Sequence, residues 1–419
     1  MKAQTGGLMA GRHGRRWPGT AGLAVQLVAV LAVAAMAGGG AAAATSAAVS
    51  ASGSLRAWGD DRHGQLGDGT TTGSDTPVAV RLPAGTTVIA VRAGGKYSLA
   101  LTSAGRVLGW GGNFSGQLGV GTTADRHTPV PVKVPRGIRV IAVSAGGAHS
   151  LAVTAAGRVL AWGDNEYGQL GDGTTKDRHV PVRVKLPAGT RAVAVGASYN
   201  YSLALTAAGQ VWAWGHNGSG QLGDGTRADS HVPVRVKLPR GTKVTAIAAG
   251  GFDGLVLTAA GRVLAWGDNG FGQLGNGTRH TSTIPVRVRF PAGTKVTAVG
   301  AGSLHNLALT SAGRVLAWGY NAFGQLGNGS ATGSDTPVRV HLPPRATVVA
   351  VSAGGGFSLA LTAAGRILTW GHNQFGQLGN GTMASSDTPV RVTIPAGLFA
   401  SALAAGPTTR HSLAIVHRA

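Results

Sequence analysis

The chain has 419 residues, only 12% of them charged, yet 37 Lys and Arg against 15 Asp and Glu leave a net charge of +22. It contains no cysteine, which excludes disulfides, thiolate zinc sites and a cysteine nucleophile. Seventy glycines, 5% aromatic residues, plentiful Val and Thr and a single glutamate, Glu166, argue for short strands joined by tight turns rather than for helices.

Residues 1–52 stand apart from the rest. Lys2, Arg12, Arg15 and Arg16 form a basic start without an acid; an apolar run from Ala21 to Ala37 follows, broken by Gln26, and small residues close it at Ala44-Thr45-Ser46-Ala47. This is the pattern of a secretory signal peptide and short leader. The run is shorter than the ~20 residues of a membrane span, so cleavage and export are expected, with an uncleaved anchor as the alternative. Arg15-Arg16 is a poor twin-arginine match because Trp17-Pro18 follows. The location expected for residues 53–419 is extracellular, with envelope association open and no transmembrane span left once the signal is removed.

The remainder repeats. Trp58, Trp110, Trp162, Trp214, Trp266, Trp318 and Trp370 are each 52 residues apart, and a Gly-Gln-Leu-Gly follows each at the same offset, as in Gly168-Gln169-Leu170-Gly171. A fixed period of this length signals a repeat array. Within the unit Thr86 to Gly137, four strands are expected: 88–91, 97–102, 106–110 and 129–134, the last an edge because its prolines lack a donor. Strands two and three are joined by Ser103-Ala104-Gly105, a short hairpin loop. Strand two alternates Leu99 and Leu101 with Ser98 and Ala100, large on one face and small on the other, which lets a neighbouring sheet approach closely. Gly85, Gly137, Gly189, Gly241, Gly293 and Gly397 mark the joints between units, and Arg345 takes that place once.

The last unit is split. Residues 398–419 supply its first two strands, with an insertion near Pro407-Thr408-Thr409, and 53–58 and 77–80 supply the other two. A unit shared between the two ends closes a ring, whereas an open solenoid needs polar caps. The expected fold is therefore all-β: a closed seven-bladed β-propeller of four antiparallel strands per blade, the last blade shared between the N- and C-terminal parts.

The repeated Ala-Gly-Gly-x-His-Ser-Leu-Ala-Leu-Thr and Gly-Arg-Val-Leu-Ala-Trp-Gly-x-Asn-x-x-Gly-Gln-Leu-Gly-x-Gly-Thr resemble the RCC1 (regulator of chromosome condensation) repeat over residues 53–419. The resemblance implies the same propeller. It admits several roles, among them nucleotide exchange on a small GTPase and, in secreted bacterial propellers, inhibition of β-lactamase. Exchange by such a relative uses an irregular wedge from one blade, and the even spacing here leaves no room for one. Fold alone does not choose between these roles.

Residues present in every blade are structural by logic: the seven tryptophans are expected to pack between blades with their indole N–H groups on backbone acceptors. Basic residues recur in rings, at Arg106, Arg158, Arg262, Arg314 and Arg366, at Arg183, Arg235, Arg287, Arg339 and Arg391, and at Arg81, Lys133, Lys185, Lys237 and Arg289. They suit a solvated outer edge with weak polyanion affinity and no specific nucleic-acid readout. Asp125-x-His127, Asp177-x-His179 and Asp229-x-His231 offer two ligands each on separate blades, too few for a metal. Four Asn-Gly-Ser/Thr triplets, at Asn217, Asn276, Asn328 and Asn380, match the glycosylation sequon and read equally as turns. No paired carboxylates or nucleophile–base set is apparent, so neither an enzyme nor a cofactor is expected.

The informative positions break the symmetry. Before strand two these are Lys96, Tyr97, His149, Tyr199, Tyr201, Phe252, Asp253, His305 and Phe357; after the Trp-Gly they are Glu166, Tyr167 and Tyr320. Aromatic variation at one end of a rigid ring is how a propeller would present a site to a partner. The reading is a monomeric, non-catalytic scaffold for a protein or cell-envelope partner, with a GTPase regulator, an inhibitor of a secreted enzyme and a polysaccharide hydrolase or lyase as alternatives.

Overall fold

A computed structural model describes residues 53–418, and the leader expected over 1–52 lies outside the described residues. The strands form seven four-stranded antiparallel sheets. In the first complete blade they are Val88–Ala93, Tyr97–Thr102, Val107–Gly111 and Arg126–Pro131, counted outward from the axis. First strands of successive blades touch one another and so surround the axis. The seventh sheet joins Leu398–Ala404 and His411–Arg418 to Ser54–Gly59 and Ser74–Ala79. Its seam runs from Ser54 opposite Val416 to Gly59 opposite His411.

Two strand starts differ from expectation. The third strand starts at Val107, because Arg106 belongs to the turn that returns its carbonyl to the Thr102 amide at 2.9 Å. The outer strand starts at Arg126, before its first proline. Its ladder pairs Gly111 with Arg126 and Gly109 with Val130, and the register shift between them absorbs Pro129.

The core lies between blades rather than within them. Leu99 and Leu101 point with Tyr97 toward the next blade's Ala152, Leu160 and Trp162, while Ala100, between them, faces the preceding blade. Each of the seven repeat tryptophans is fully buried, and its Nε1–H donates to the backbone carbonyl of a glutamine in the preceding blade: Trp110 to Gln65 at 2.9 Å, Trp162 to Gln117 at 2.8 Å, and Trp58 to Gln377 at 2.9 Å across the seam. Most of these carbonyls take a second donor from the same neighbour, as Gln117 does from Ser150 Oγ at 2.8 Å. The buried rings contribute on the order of 3 kcal/mol each by removing apolar surface from water. The glycine between the leucine and the loop tip is obligatory: at Gly119 (φ +66) a Cβ would stand 2.8 Å from the Trp162 ring.

Candidate binding site

Each blade has two ends. Turns between first and second strands, such as Gly94-Gly95-Lys96, and the long loops between third and fourth strands, such as 112–125, lie at one end of the ring. There a funnel of about 760 Å³ opens, lined by Asp60, Arg62, Lys96, Phe114, Tyr199, Phe323, His372 and Arg410 among others. Asp60 and Arg62 form a two-pronged pair, with Nε to Oδ1 and Nη2 to Oδ2 both at 2.8 Å. Burial alone would raise the Asp60 carboxyl, but the Arg62 guanidinium outweighs it and holds the group below its ordinary value.

An arc of rings runs around the rim across three blades. Phe271 meets Tyr320 edge-on at 4.9 Å; Tyr320 and Phe323 follow at 6.1 Å, Phe323 and His372 at 4.5 Å, and His372 and Phe375 at 6.1 Å. Phe375 then lies between Arg410, 4.7 Å from its centroid, and Arg62 at 5.1 Å. Phe271 and Phe323 are 42% and 43% exposed, and Phe114, beside Lys96, is 56% exposed. On the opposite side Tyr199 stacks on Phe252 at 5.4 Å. Burial, and then the positive Arg410, depress the His372 pKa, so this ring is neutral at physiological pH and fits the arc as an aromatic.

The structure divides the sequence candidates. Lys96, Glu166, Tyr167, Tyr199, Phe252 and Tyr320 are exposed or half-buried at this end. Tyr97, His149, Tyr201, Asp253, His305 and Phe357 are fully buried, which corrects their assignment to a partner-facing surface. Each is the first residue of a second strand, and its side chain enters the gap to the next blade. His149 Nε2 meets Ser202 Oγ at 2.9 Å, His305 Nε2 meets Ser358 Oγ at 2.9 Å, and Asn306 Nδ2 donates to Asp253 Oδ2 at 2.7 Å. The Tyr97 hydroxyl donates to the His149 carbonyl at 2.5 Å and accepts from the Gly146 amide at 3.2 Å. Tyr201 donates in the same way to the Asp253 carbonyl at 2.5 Å. Phe357 packs flat over Gly354 instead. Variation at this position is a set of matched inter-blade latches.

Phe375 and Arg410 stand at symmetry-breaking positions of the sequence, but His372 is not singled out by it. The signal that could have found His372 is the 52-residue offset that places it under Tyr320, as Phe375 lies under Phe323. The Asp-x-His pairs are joints between neighbouring loops. Asp125 accepts from the Asn113 amide at 2.8 Å and meets His63 at 3.0 Å, while His127 covers Gly64 of the preceding blade. Among the described residues no three His, Asp or Glu side chains converge as metal ligands. The funnel offers rings, two cations beyond the Asp60–Arg62 pair and backbone amides: groups that hold a partner surface.

The RCC1-like domain profile matches residues 185–419, and the regulator of chromosome condensation (RCC1) repeat matches 52–101, 104–153 and 156–205. This chain belongs to the RCC1 repeat family. The RCC1-family propeller is 34% identical to the ultraviolet-B receptor UVR8 of Arabidopsis thaliana, over 80% of this chain and 76% of the receptor. It is 36% identical to the E3 ubiquitin-protein ligase HERC2 of Homo sapiens, over 75% of this chain but 7% of that protein. Yeast RCC1 (Prp20), solved bound to Kap60, superposes with a TM-score of 0.79 at 22% identity, covering 88% of this chain and 90% of that one, which speaks for the fold. No helix among the described residues is long and apolar enough to cross a membrane.

Proposed function

We propose that this RCC1-family propeller is an exported, non-catalytic scaffold that binds a protein or cell-envelope partner at the funnel. The observation that carries the reading is the arc from Phe271 to Phe375, exposed and half-buried rings held on a rigid ring that ends at Arg410, with Lys96 lining the same funnel. Exposed aromatics with a flanking arginine are what partner sites concentrate. A binding role is supported by the relative named a receptor, while the match to the ubiquitin ligase is confined to 7% of that protein. Export rests on the pattern of residues 1–52. N-terminal sequencing of protein recovered from culture medium tests it: a start between about Ala42 and Ser54 supports export, and a full-length chain found only inside cells sinks it. Capture with the native chain and with Tyr320→Ala/Phe323→Ala tests the funnel; a partner held equally by both removes it.

Family membership also favours a second reading, exchange of guanine nucleotide on a small GTPase. Acceleration of nucleotide release by the purified chain would put this reading first.

A further inference from the structure

Most acidic side chains of the chain lie toward the funnel end. All fifteen fall in the long loops, in the outer strands that follow them, or, for Asp253, at the start of a second strand; Asp68, Asp172 and Asp224 sit further along their loops, next to glycines that approach Arg81, Lys185 and Lys237. The opposite end is built from turns between second and third strands and from connections between blades, and none of these segments contains Asp or Glu.

That end is strongly basic. Arg106, Arg158, Arg262, Arg314 and Arg366 recur in its turns. Arg139, Arg191, Lys243 and Lys295 precede successive first strands, and Arg183, Arg235, Arg287, Arg339 and Arg391 end the outer ones. All of these are exposed. The salt bridges among the described residues, Arg62–Asp60, His63–Asp125 and Arg178–Asp172, engage none of these arginines and lysines.

Its shape is regular as well. Each turn spans four residues, and the connections from Ala79 to Val88, Pro131 to Val140, Arg183 to Ala192, Arg235 to Val244, Arg287 to Val296 and Arg339 to Val348 each span eight. The connection into the closing blade, from Arg391 to Leu398, spans six. The aromatics here are already engaged, Phe290 edge-on to Trp318 at 5.6 Å and Phe399 stacked on His417 at 5.6 Å, so no free ring platform awaits a nucleic-acid base.

We infer that the basic end docks on an anionic phospholipid bilayer surface and turns the funnel away from it. A ring of cations at one level meets a plane on all sides at once, whereas a linear polyanion reaches only those along its path. With most carboxylates toward the far end, the charge distribution orients the approaching disc. Basic residues near an anionic leaflet each add to the attraction, which fades beyond a Debye length of ~10 Å at 0.1 M salt. This inference goes beyond the proposed funnel function and stands or falls separately from it.

The test is sedimentation of the full chain with phosphatidylcholine vesicles, with and without about 30 mol % phosphatidylglycerol. Three proteins are compared, so that residues 1–52 contribute equally to each. One is the native chain. The second carries Arg158→Gln, Arg262→Gln, Arg314→Gln and Arg366→Gln; Gln210 already occupies this position in one blade, so the fold accepts it. The third carries the same charge loss at the funnel end, Arg126→Gln, Lys176→Gln, Arg227→Gln and Arg279→Gln, and melting curves verify all three. The expected result is preference for anionic vesicles that falls at least about tenfold in the second protein and by less than about twofold in the third, and that is lost at ~0.5 M salt. Equal loss in both variants, or no preference for phosphatidylglycerol, overturns the inference. Binding of duplex DNA or polyphosphate that displaces the chain from vesicles without loss in the second protein also overturns it.

Discussion

His411 Nε2 and Ser98 Oγ meet at 2.8 Å although 313 residues separate them in the chain. They fasten the closing blade to the first complete one, and they repeat the geometry of His149 with Ser202 and His305 with Ser358. Ser98 also donates to the Gln65 carbonyl at 2.9 Å. Ser98→Ala leaves a buried imidazole nitrogen without a partner and removes one of the two donors on Gln65. The expected loss is about 1–3 kcal/mol in denaturant unfolding, with unchanged strand content by circular dichroism.

The same latches make stability sensitive to acid. Burial depresses His149 to about 3 and His305 and His411 to about 4, while the unfolded chain titrates near 6.5. Between these values the unfolded state binds more protons, so stability rises with pH there. The melting temperature should hold above pH ~6.5 and fall as pH drops from there toward 4. His149→Gln and His305→Gln should flatten that decline; a profile unchanged by both would remove the histidines as its cause.

Asp61 works in the opposite sense. Six blades place an asparagine at this position, and Asn113 Nδ2 donates to the Thr122 and Ala124 carbonyls at 2.8 and 3.0 Å. Asp61 accepts from the Leu66 amide at 2.7 Å but has no equivalent donor, and burial pushes its carboxyl up to about 7. A raised carboxyl contributes stability fully below the unfolded value and loses it as pH rises through 7. Asp61→Asn should therefore stabilise by roughly 2 kcal/mol at pH 8 and by little at pH 4, read as melting temperature at the two pH values.

Arg345 is the one non-glycine with positive φ, 62°, among the described residues. The other joints carry glycine at this place, with φ between 71° and 77° at Gly85, Gly137, Gly189, Gly241, Gly293 and Gly397. Left-handed backbone costs a side-chain-bearing residue about 1–2 kcal/mol, so Arg345→Gly should raise stability by about 1 kcal/mol. No shift in the unfolding midpoint would show the strain relieved elsewhere.

The ring was legible because its determinants are periodic. Trp58, Trp110 and their five equivalents mark one blade each, Leu99 and Ala100 declare which face meets which neighbour, and the halves at 53–80 and 398–418 announce the closure. Structure and sequence part where contacts join residues one blade apart. His149 and Ser202 are 53 positions apart, so no local pattern shows that the variation at Tyr97, His149, Asp253 and Phe357 is answered in the neighbouring blade. At the first residue of a strand, a ring that points into an inter-blade gap and one that points to solvent look the same in sequence.

The sequence by itself determined blade number, strand order, ring closure and the buried tryptophan seams, because a 52-residue period imposes one packing solution on every unit. Only the tertiary structure decided which symmetry-breaking residues are latches and which form the arc of rings from Phe271 to Phe375, and that most acids gather toward the funnel end while the opposite rim is basic. Those properties depend on the direction a side chain takes from its strand and on which turns share an end of the ring, and both are set by the assembled sheets.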